Sequence, residues 1–206
     1  MQALRVLKVA NCSLPFENAQ KLLDGLFRND ALTDLSIDFS GNNFGPKAGS
    51  FLAESLRRGN SLHVLNIGSN NLRKSKSDKL SKTSNWLSIT GAVDILDSLP
   101  PTVTRLAIGD NFSHSDTPMV AGALSKLIER NSALRSLSLV GGEKNKLREE
   151  LGLFFKSLKA NSTLTELDVT NNSFLDIGMT ALTSALRENS TLTSVKYVQV
   201  KTSNTN

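Results

Sequence analysis

The sequence predicts an α/β solenoid, in which short parallel strands alternate with helices along a line of stacked units. Seven copies of the pattern apolar-x-x-apolar-x-apolar begin at positions 4, 32, 62, 103, 134, 164 and 192. Helix-like apolar spacing fills the intervals between copies, which are 28 to 41 residues long. Units of this length cannot bury an apolar face alone, so the repeat indicates that neighbours stack into one continuous core.

The best-formed copies identify the repeat type. In the third copy, Leu62, Leu65 and Ile67 are followed by Asn70 and Leu72. The sixth copy keeps this order with Phe in the last place. The pattern LxxLxLxxNx(L/F) is that of a leucine-rich repeat. Its alternating apolar residues form a short strand, and the Asn amide can satisfy backbone groups of the turn that follows.

Two copies depart from this pattern. The first has Cys12 in the Asn position, and we expect that side chain to point inward, as free cysteines are usually buried. In the second copy, a register set by Leu32 and Leu35 leaves two extra residues after Ile37. An alternative register runs through Ile37 and Phe39.

Amphipathic helices are expected between the strands. The clearest pattern places Ala19, Leu22, Leu23, Leu26 and Phe27 at helical spacing. Most of these helices end in an asparagine, a residue that tolerates the left-handed conformation after a helix. Full helices and a period of about 29 residues indicate the ribonuclease-inhibitor-like class. That class is a curved horseshoe arc, here of about seven repeats, with parallel strands on the concave side and helices on the convex side.

The composition fits a single solenoid domain over residues 1–206. The chain is 39% hydrophobic and has one cysteine, which excludes an internal disulfide framework and fits a reducing cytosol. Residues 73–85 are interpreted as an insertion loop and residues 201–206 as a frayed tail. No signal peptide or membrane span is predicted. Because neither end shows a polar capping unit, we expect a fragment of a longer protein.

Two stretches carry a resemblance to a known family. The segments LTDLSIDFSGNNFGPKAGSFLAESLRRGNSLHVLNIGSNNL and LTELDVTNNSFLDIGMTALTSALRENSTLTSV resemble the leucine-rich-repeat domain of CARMIL proteins, which are large cytosolic actin regulators. The resemblance covers most of the chain and implies an interaction scaffold near the actin cortex. The family's capping-protein-binding segment, PH-like domain and proline-rich tail have no counterpart in this sequence, so the family's uncapping activity is not transferred to these residues.

Positive charge is concentrated in the insertion. Residues 73–82 carry five bases and one acid, which gives +4 of the chain's formal net charge of +5. These bases are candidate contacts for an acidic membrane surface or an acidic partner: Arg73, Lys74, Lys76, Lys79 and Lys82. Phosphorylation of Ser75 and Ser77 would cancel much of this charge. The alternative is a solvated loop that tolerates insertion because nothing packs against it.

The second candidate surface is the concave strand face, the usual binding surface of such an arc. Its outward positions, which include Asp34 on the second strand, hold no Trp, Tyr or Phe to anchor a tight interface. The candidate contacts are basic residues opposed by an acidic end: Arg5, Lys8, Arg105, Arg135, Glu166 and Asp168. The alternative is an inner face that is merely hydrated.

Groups suited to catalysis or cofactor binding are scarce. The two histidines, His63 and His114, lie more than one repeat apart, and neither has a Cys or carboxylate at ligand spacing. Neither a nucleophile elbow nor a phosphate-binding loop is found. We therefore expect no enzymatic activity, no cofactor, no metal, no small-molecule substrate and no specific nucleic acid.

Three functions are open from the sequence. The leading one is a non-catalytic protein–protein interaction scaffold of the cytoplasm, linked to the cortical actin cytoskeleton through the CARMIL resemblance. The second is the sensor or autoinhibitory arm of a NOD-like or ribonuclease-inhibitor-like protein. The third is a membrane-surface module that uses the basic residues of 73–82.

Overall fold

A computed structural model describes residues 4–45, 47–72, 91–143 and 145–198, which form seven strands and six α-helices. The strands are β1 (Val6–Lys8), β2 (Leu35–Asp38), β3 (Leu62–Asn66), β4 (Arg105–Ala107), β5 (Ser136–Ser138), β6 (Glu166–Asp168) and β7 (Ser194–Lys196). The helices are α1 (Phe16–Phe27), α2 (Ala48–Leu56), α3 (Gly91–Ser98), α4 (Thr117–Arg130), α5 (Gly152–Ser157) and α6 (Leu175–Glu188). Short 3-10 turns at His114–Asp116 and Glu149–Leu151 precede α4 and α5.

The seven strands form one parallel sheet in chain order, from β1 to β7. A helical segment follows each of the first six strands, and each helix packs on the helix of the next repeat. The central leucines are in register, as Leu65 aligns with Leu106 and Leu106 with Leu137. These residues are at most 2% exposed and belong to one continuous core. The predicted leucine-rich-repeat solenoid is therefore confirmed.

The second repeat uses the alternative register. Ile37 aligns with Leu65 of the next repeat. Leu35, Ile37 and Phe39 are fully buried, because alternate residues of a strand point to the same side. The register set by Leu32 is therefore wrong, although Leu32 itself is buried at the entry to the strand.

Buried asparagines hold successive turns together where the strands end. The Oδ1 atom of Asn70 accepts the backbone N–H of Asn42 at 2.9 Å. Its Nδ2 atom donates to the carbonyls of Phe39 and Ile67 at 2.9 and 3.0 Å. Each such side chain thus bonds its own turn and that of the preceding repeat. We call these residues the asparagine ladder: Asn42, Asn70, Asn111 and Asn172.

Cys12 occupies the ladder position of the first repeat, yet its side chain is exposed. A ladder side chain is covered by the turn of the repeat before it, and no earlier repeat lies among the described residues. The Sγ atom of Cys12 lies 3.2 Å from its acceptor, the carbonyl of Ala10. The expectation that Cys12 points inward is therefore wrong.

A second row of asparagines lies where helices lead into strands. The Oδ1 atoms of Asn131, Asn161 and Asn189 accept the backbone N–H three residues later, at 2.9, 2.8 and 2.8 Å. Their Nδ2 atoms donate to carbonyls of the preceding repeat. Asn131 and Asn189 have φ of −97° and −82°, so the expected left-handed conformation is wrong for them. They stabilise the bend through side-chain hydrogen bonds.

Candidate protein-binding surface

Two rows of side chains cross the sheet on the side opposite the core, because alternate residues of a strand point away from it. We call these two rows the concave face. The first row is Val6, Ser36, Val64, Arg105, Ser136, Glu166 and Ser194. The second row is Lys8, Asp38, Asn66, Ala107, Ser138, Asp168 and Lys196. Short uncharged side chains surround Arg105 in the middle, and the other charges lie towards the two ends.

Opposite charges lie side by side at both ends of the second row. Lys8 aligns with Asp38, and Asp168 aligns with Lys196. Neighbouring strands are about 4.8 Å apart, so each acid partly neutralises the base beside it. Asp38, and not the expected Asp34, takes the outward place because of the register of β2. The carboxylate of Asp38 therefore lies next to Lys8, one of the basic residues that we expected to contact a partner.

The expected basic contacts are spread over the arc. Arg5 immediately precedes β1 and Lys8 ends it, whereas Arg105 lies on β4. Three strand spacings, or about 14 Å, separate β1 from β4. Arg135 precedes β5, and its Nη1 atom donates to the carbonyl of Ser132 at 2.8 Å. This bond holds the guanidinium at the corner between helix and strand. Arg105 is thus the basic residue at the centre of the concave face.

The expected acidic contacts do lie together. Glu166 and Asp168 border a recess of about 320 Å³, which we call the acidic recess, with Ser136, Ser138 and Lys196 among its lining residues. One Asp168 oxygen accepts a backbone N–H two residues later at 3.0 Å, so that carboxylate is fixed. Glu166 is exposed. Carboxylates beside hydroxyl groups can accept and donate hydrogen bonds to a polar partner carrying Lys or Arg.

The basic candidates of the insertion lie outside the described residues. They are Arg73, Lys74, Lys76, Lys79 and Lys82. Ser75 and Ser77 lie in the same stretch. Contact of residues 73–82 with an acidic surface therefore stays a prediction.

The histidines do not converge on a reactive centre. The Nδ1 atom of His63 lies 3.1 Å from the carbonyl of Ser61 and 3.7 Å from the Oδ1 atom of Asp34. His114 lies in the turn before α4. Within the four described ranges, no three His, Cys, Asp or Glu side chains group as metal ligands would. The helices in those ranges all lack the length and apolarity needed to cross a bilayer.

One carboxylate on the helix side has a perturbed pKa. Asp24 of α1 accepts hydrogen bonds from Ser55 Oγ at 2.6 Å and Arg58 Nη2 at 2.7 Å. The hydrogen bond from Ser55 is the main cause that holds the pKa of Asp24 below its ordinary value of 3.8. Partial burial opposes this shift and Arg58 supports it. Because these contacts join α1 to the end of α2, we assign them to the stability of the arc.

The structure also shows a groove that the sequence did not reveal. It lies between α5 and α6 on the convex side and has a volume of about 640 Å³. Leu153 and Ile177, which are 53% and 74% exposed, line it. The sequence contains only a weak indication of this groove. The turn after β5 in the fifth repeat is longer than in its neighbours, which leaves fewer residues for the helix that follows. That turn is closed by a hydrogen bond from Gly142 N to the carbonyl of Asn145.

Comparisons with known proteins give CARMIL-type relatives that match most of the chain. Over 195 residues, the chain is 26% identical to Protein CARMIL of Dictyostelium discoideum, covering 92% of this chain and 17% of that protein. It is 29% identical over 193 residues to capping protein, Arp2/3 and myosin-I linker protein 3 of Rattus norvegicus, covering 92% of this chain and 13% of that protein. No protein-family model matches the chain. The resemblance to CARMIL proteins is thus confirmed, and the chain spans less than a fifth of either relative.

A solved structure supports the fold. The C-terminal domain of tropomodulin from Caenorhabditis elegans matches the chain with a TM-score of 0.50 and 12% sequence identity. The match covers 90% of this chain and 84% of that domain. At this identity the likeness concerns the architecture alone.

Proposed function

We propose that this chain is a non-catalytic protein-interaction module of an actin-regulatory protein, acting in the cytoplasm at the cell cortex through its concave face. The observation that carries the proposal is the similarity to CARMIL proteins over 92% of the chain. One relative is named as a linker of capping protein, Arp2/3 and myosin-I. We take these three as candidate partners of the concave face, which is a different surface from the family's capping-protein-binding segment, a segment without a counterpart in this sequence. The proposal concerns this module alone, because the relatives are several times longer.

The concave face favours a polar partner. A solenoid presents its strands as an extended surface against which another protein can lie. On the concave face, the central side chains of the second row are short, as Asn66, Ala107 and Ser138 illustrate, so a partner backbone can approach closely there. Without aromatic anchors, affinity depends on complementary charges and hydrogen bonds, so it should fall as salt is raised. The carboxylates of the acidic recess would pair with a Lys or Arg side chain of the partner.

The test compares two charge reversals in the 206-residue chain. Glu166→Lys reverses an exposed carboxylate at the acidic recess, whereas Glu129→Lys reverses an exposed carboxylate on α4, on the helix side. Both variants change the net charge equally. Binding to purified capping protein, Arp2/3 complex and myosin-I is measured by surface plasmon resonance at low and physiological salt. We expect Glu166→Lys to weaken binding about tenfold and Glu129→Lys to leave it unchanged.

Two outcomes would contradict the proposal. Absence of binding to all three partners at low salt would reject the proposed role of this module in binding actin-regulatory proteins. Equal affinities for the two variants, with binding retained, would reject the concave face as the surface. Circular dichroism of both variants checks that the fold is intact, and Glu166 was chosen over Asp168 because the latter bonds to the backbone.

A further inference from the structure

The groove lies where α5 and the 3-10 turn before it face α6. α5 has 6 residues, whereas α4 and α6 each have 14. The amino-terminal half of α6 therefore packs on the turn Glu149–Leu151 instead of on a full helix, and Ile177 remains exposed beside it. A Cβ atom added to Gly152 would lie 3.3 Å from the Cβ atom of Ala181, so the helices are close where the groove has its floor.

Two large apolar side chains border this opening from opposite helices. Leu153 on α5 is 53% exposed and Ile177 on α6 is 74% exposed. The floor between them is formed by small residues, including Gly152 and Ala181. Counted back from the asparagine after each helix, Leu153 takes the place that Ala123 holds on α4. Docking that covers both walls would remove this exposed apolar surface from water, which favours binding.

The charges around the groove favour a basic occupant. Glu149 and Glu150 lie at one end, and Lys156 and Lys159 lie along the other. Lys159 is already paired with Glu188, with its Nζ atom 2.6 Å from the carboxylate. By contrast, the Oε2 atom of Glu149 is buried and has no hydrogen-bond partner among the described residues. A buried acceptor without a donor is destabilising, and a Glu149 carboxylate that turns towards a Lys or Arg of a docked partner gains that donor.

We propose that this groove docks an amphipathic helix of a partner protein, which inserts an apolar side chain between Leu153 and Ile177 and places a Lys or Arg beside Glu149. The lining residues of α6 run from Ile177 to Ser184, about 10 Å along the helix axis. Two turns of a partner helix match this length, with anchors spaced by three or four residues. The acidic end disfavours an anionic lipid surface as the occupant.

Three synthetic helices serve as probes for the intact chain. Each is an alanine-rich peptide of about 15 residues with two leucines four residues apart. One turn from the leucines, the first carries two Lys, the second two Gln and the third two Glu. Fluorescence anisotropy measures binding of each labelled peptide. We expect the Lys peptide to bind most tightly, about five- to tenfold better than the Glu peptide, with the Gln peptide between them.

Variants of the chain distinguish docking at the groove from non-specific binding elsewhere on the surface. Ile177→Asp is expected to weaken binding of all three peptides at least about tenfold. Met119→Asp is the matched control, since Met119 on α4 is 45% exposed and does not line the groove, and it should bind as wild type. Glu150→Lys should reverse the order of the Lys and Glu peptides. A gain of binding to the Glu peptide cannot arise from a folding defect.

The proposal fails if none of the peptides binds, if all bind equally, or if Met119→Asp and Ile177→Asp behave alike. Light scattering tests a second copy of the chain as the occupant. A wild-type dimer that Ile177→Asp converts to a monomer would assign the groove to self-association instead. Binding to anionic vesicles that Ile177→Asp abolishes would assign it to lipid. This surface is separate from the concave face, so either proposal can fail alone.

Discussion

Replacement of Asn111 by alanine tests how the turns of the solenoid are held together. The Asn111 side chain is fully buried. Its Oδ1 atom accepts the backbone N–H of Asn70 at 2.8 Å and, in a longer and weaker bond, that of Leu72 at 3.5 Å. Its Nδ2 atom donates to the carbonyls of Ile67 and Ile108, both at 2.9 Å. Alanine removes all four bonds and offers no polar atom in their place.

The expected loss of stability follows from the groups left behind. The carbonyl of Ile67 keeps a second donor, the Nδ2 atom of Asn70 at 3.0 Å. The N–H of Asn70 and the carbonyl of Ile108 lose the bonds described above. At about 1–3 kcal/mol for each buried unsatisfied group, the free energy of unfolding should fall by about 2–6 kcal/mol. That is a large part of the roughly 5–15 kcal/mol typical of a domain.

Urea unfolding followed by far-UV circular dichroism measures this loss. Asn18→Ala is the matched control, because Asn18 is an exposed asparagine on α1. It should change the free energy of unfolding by less than about 1 kcal/mol. A loss for Asn111→Ala that does not exceed the control would refute the role assigned to the asparagine ladder.

Three further measurements test helix packing, pH dependence and the basic insertion. A Cβ on Gly122 would meet nothing within 4 Å, whereas one on Gly49 would lie 2.0 Å from the Cα atom of Gly91. Gly122→Ala should therefore raise the free energy of unfolding by about 0.5–1 kcal/mol, and Gly49→Ala should lower it by about 1–3 kcal/mol, as thermal unfolding would reveal. The pKa of Asp24 is lowered on folding, so its stabilising contribution is present above 3.8 and disappears as the pH falls through the folded-state pKa. The stability difference between wild type and Asp24→Asn should accordingly shrink as urea unfolding is repeated below pH 3.8. Deletion of residues 73–82 removes +4 of the net charge of +5 and should abolish salt-sensitive binding to anionic vesicles while the circular dichroism spectrum is retained; unchanged vesicle binding would contradict the membrane hypothesis.

The architecture was predictable because it is encoded locally and then repeated. Leu62, Leu65 and Ile67 indicate a strand by their own spacing, and the period requires that equivalent strands align. The register of the second repeat was harder, since Leu32 and Phe39 are both apolar and both are buried. What decides between them is pairing with the neighbouring strand, which a single sequence does not display.

The features that the sequence did not predict all depend on neighbouring repeats. Cys12 resembles a buried residue by type, but its exposure is decided by whether another turn lies against it. Asn161 resembles a left-handed helix terminus, yet its Nδ2 atom finds the carbonyl of Ile128 in the repeat before, at 3.0 Å. The exposure of Ile177 goes with its neighbour in the fifth repeat, where a 3-10 turn and the short α5 face the start of α6. These contacts are set by geometry between repeats, about 30 residues apart in the chain.

The two proposed binding surfaces should differ in how salt affects them. The concave face offers charges such as Glu166 and Arg105 with short polar side chains between them, so its affinity rests on electrostatic complementarity that ions screen. The groove offers Leu153 and Ile177, whose burial is nearly insensitive to moderate salt. A partner that is lost as salt rises, and is sensitive to Glu166→Lys, is using the strands. A partner that still binds at high salt but is lost with Ile177→Asp binds to the groove between the helices. A partner that is weakened by both Glu166→Lys and Ile177→Asp contacts both surfaces across the edge of the arc.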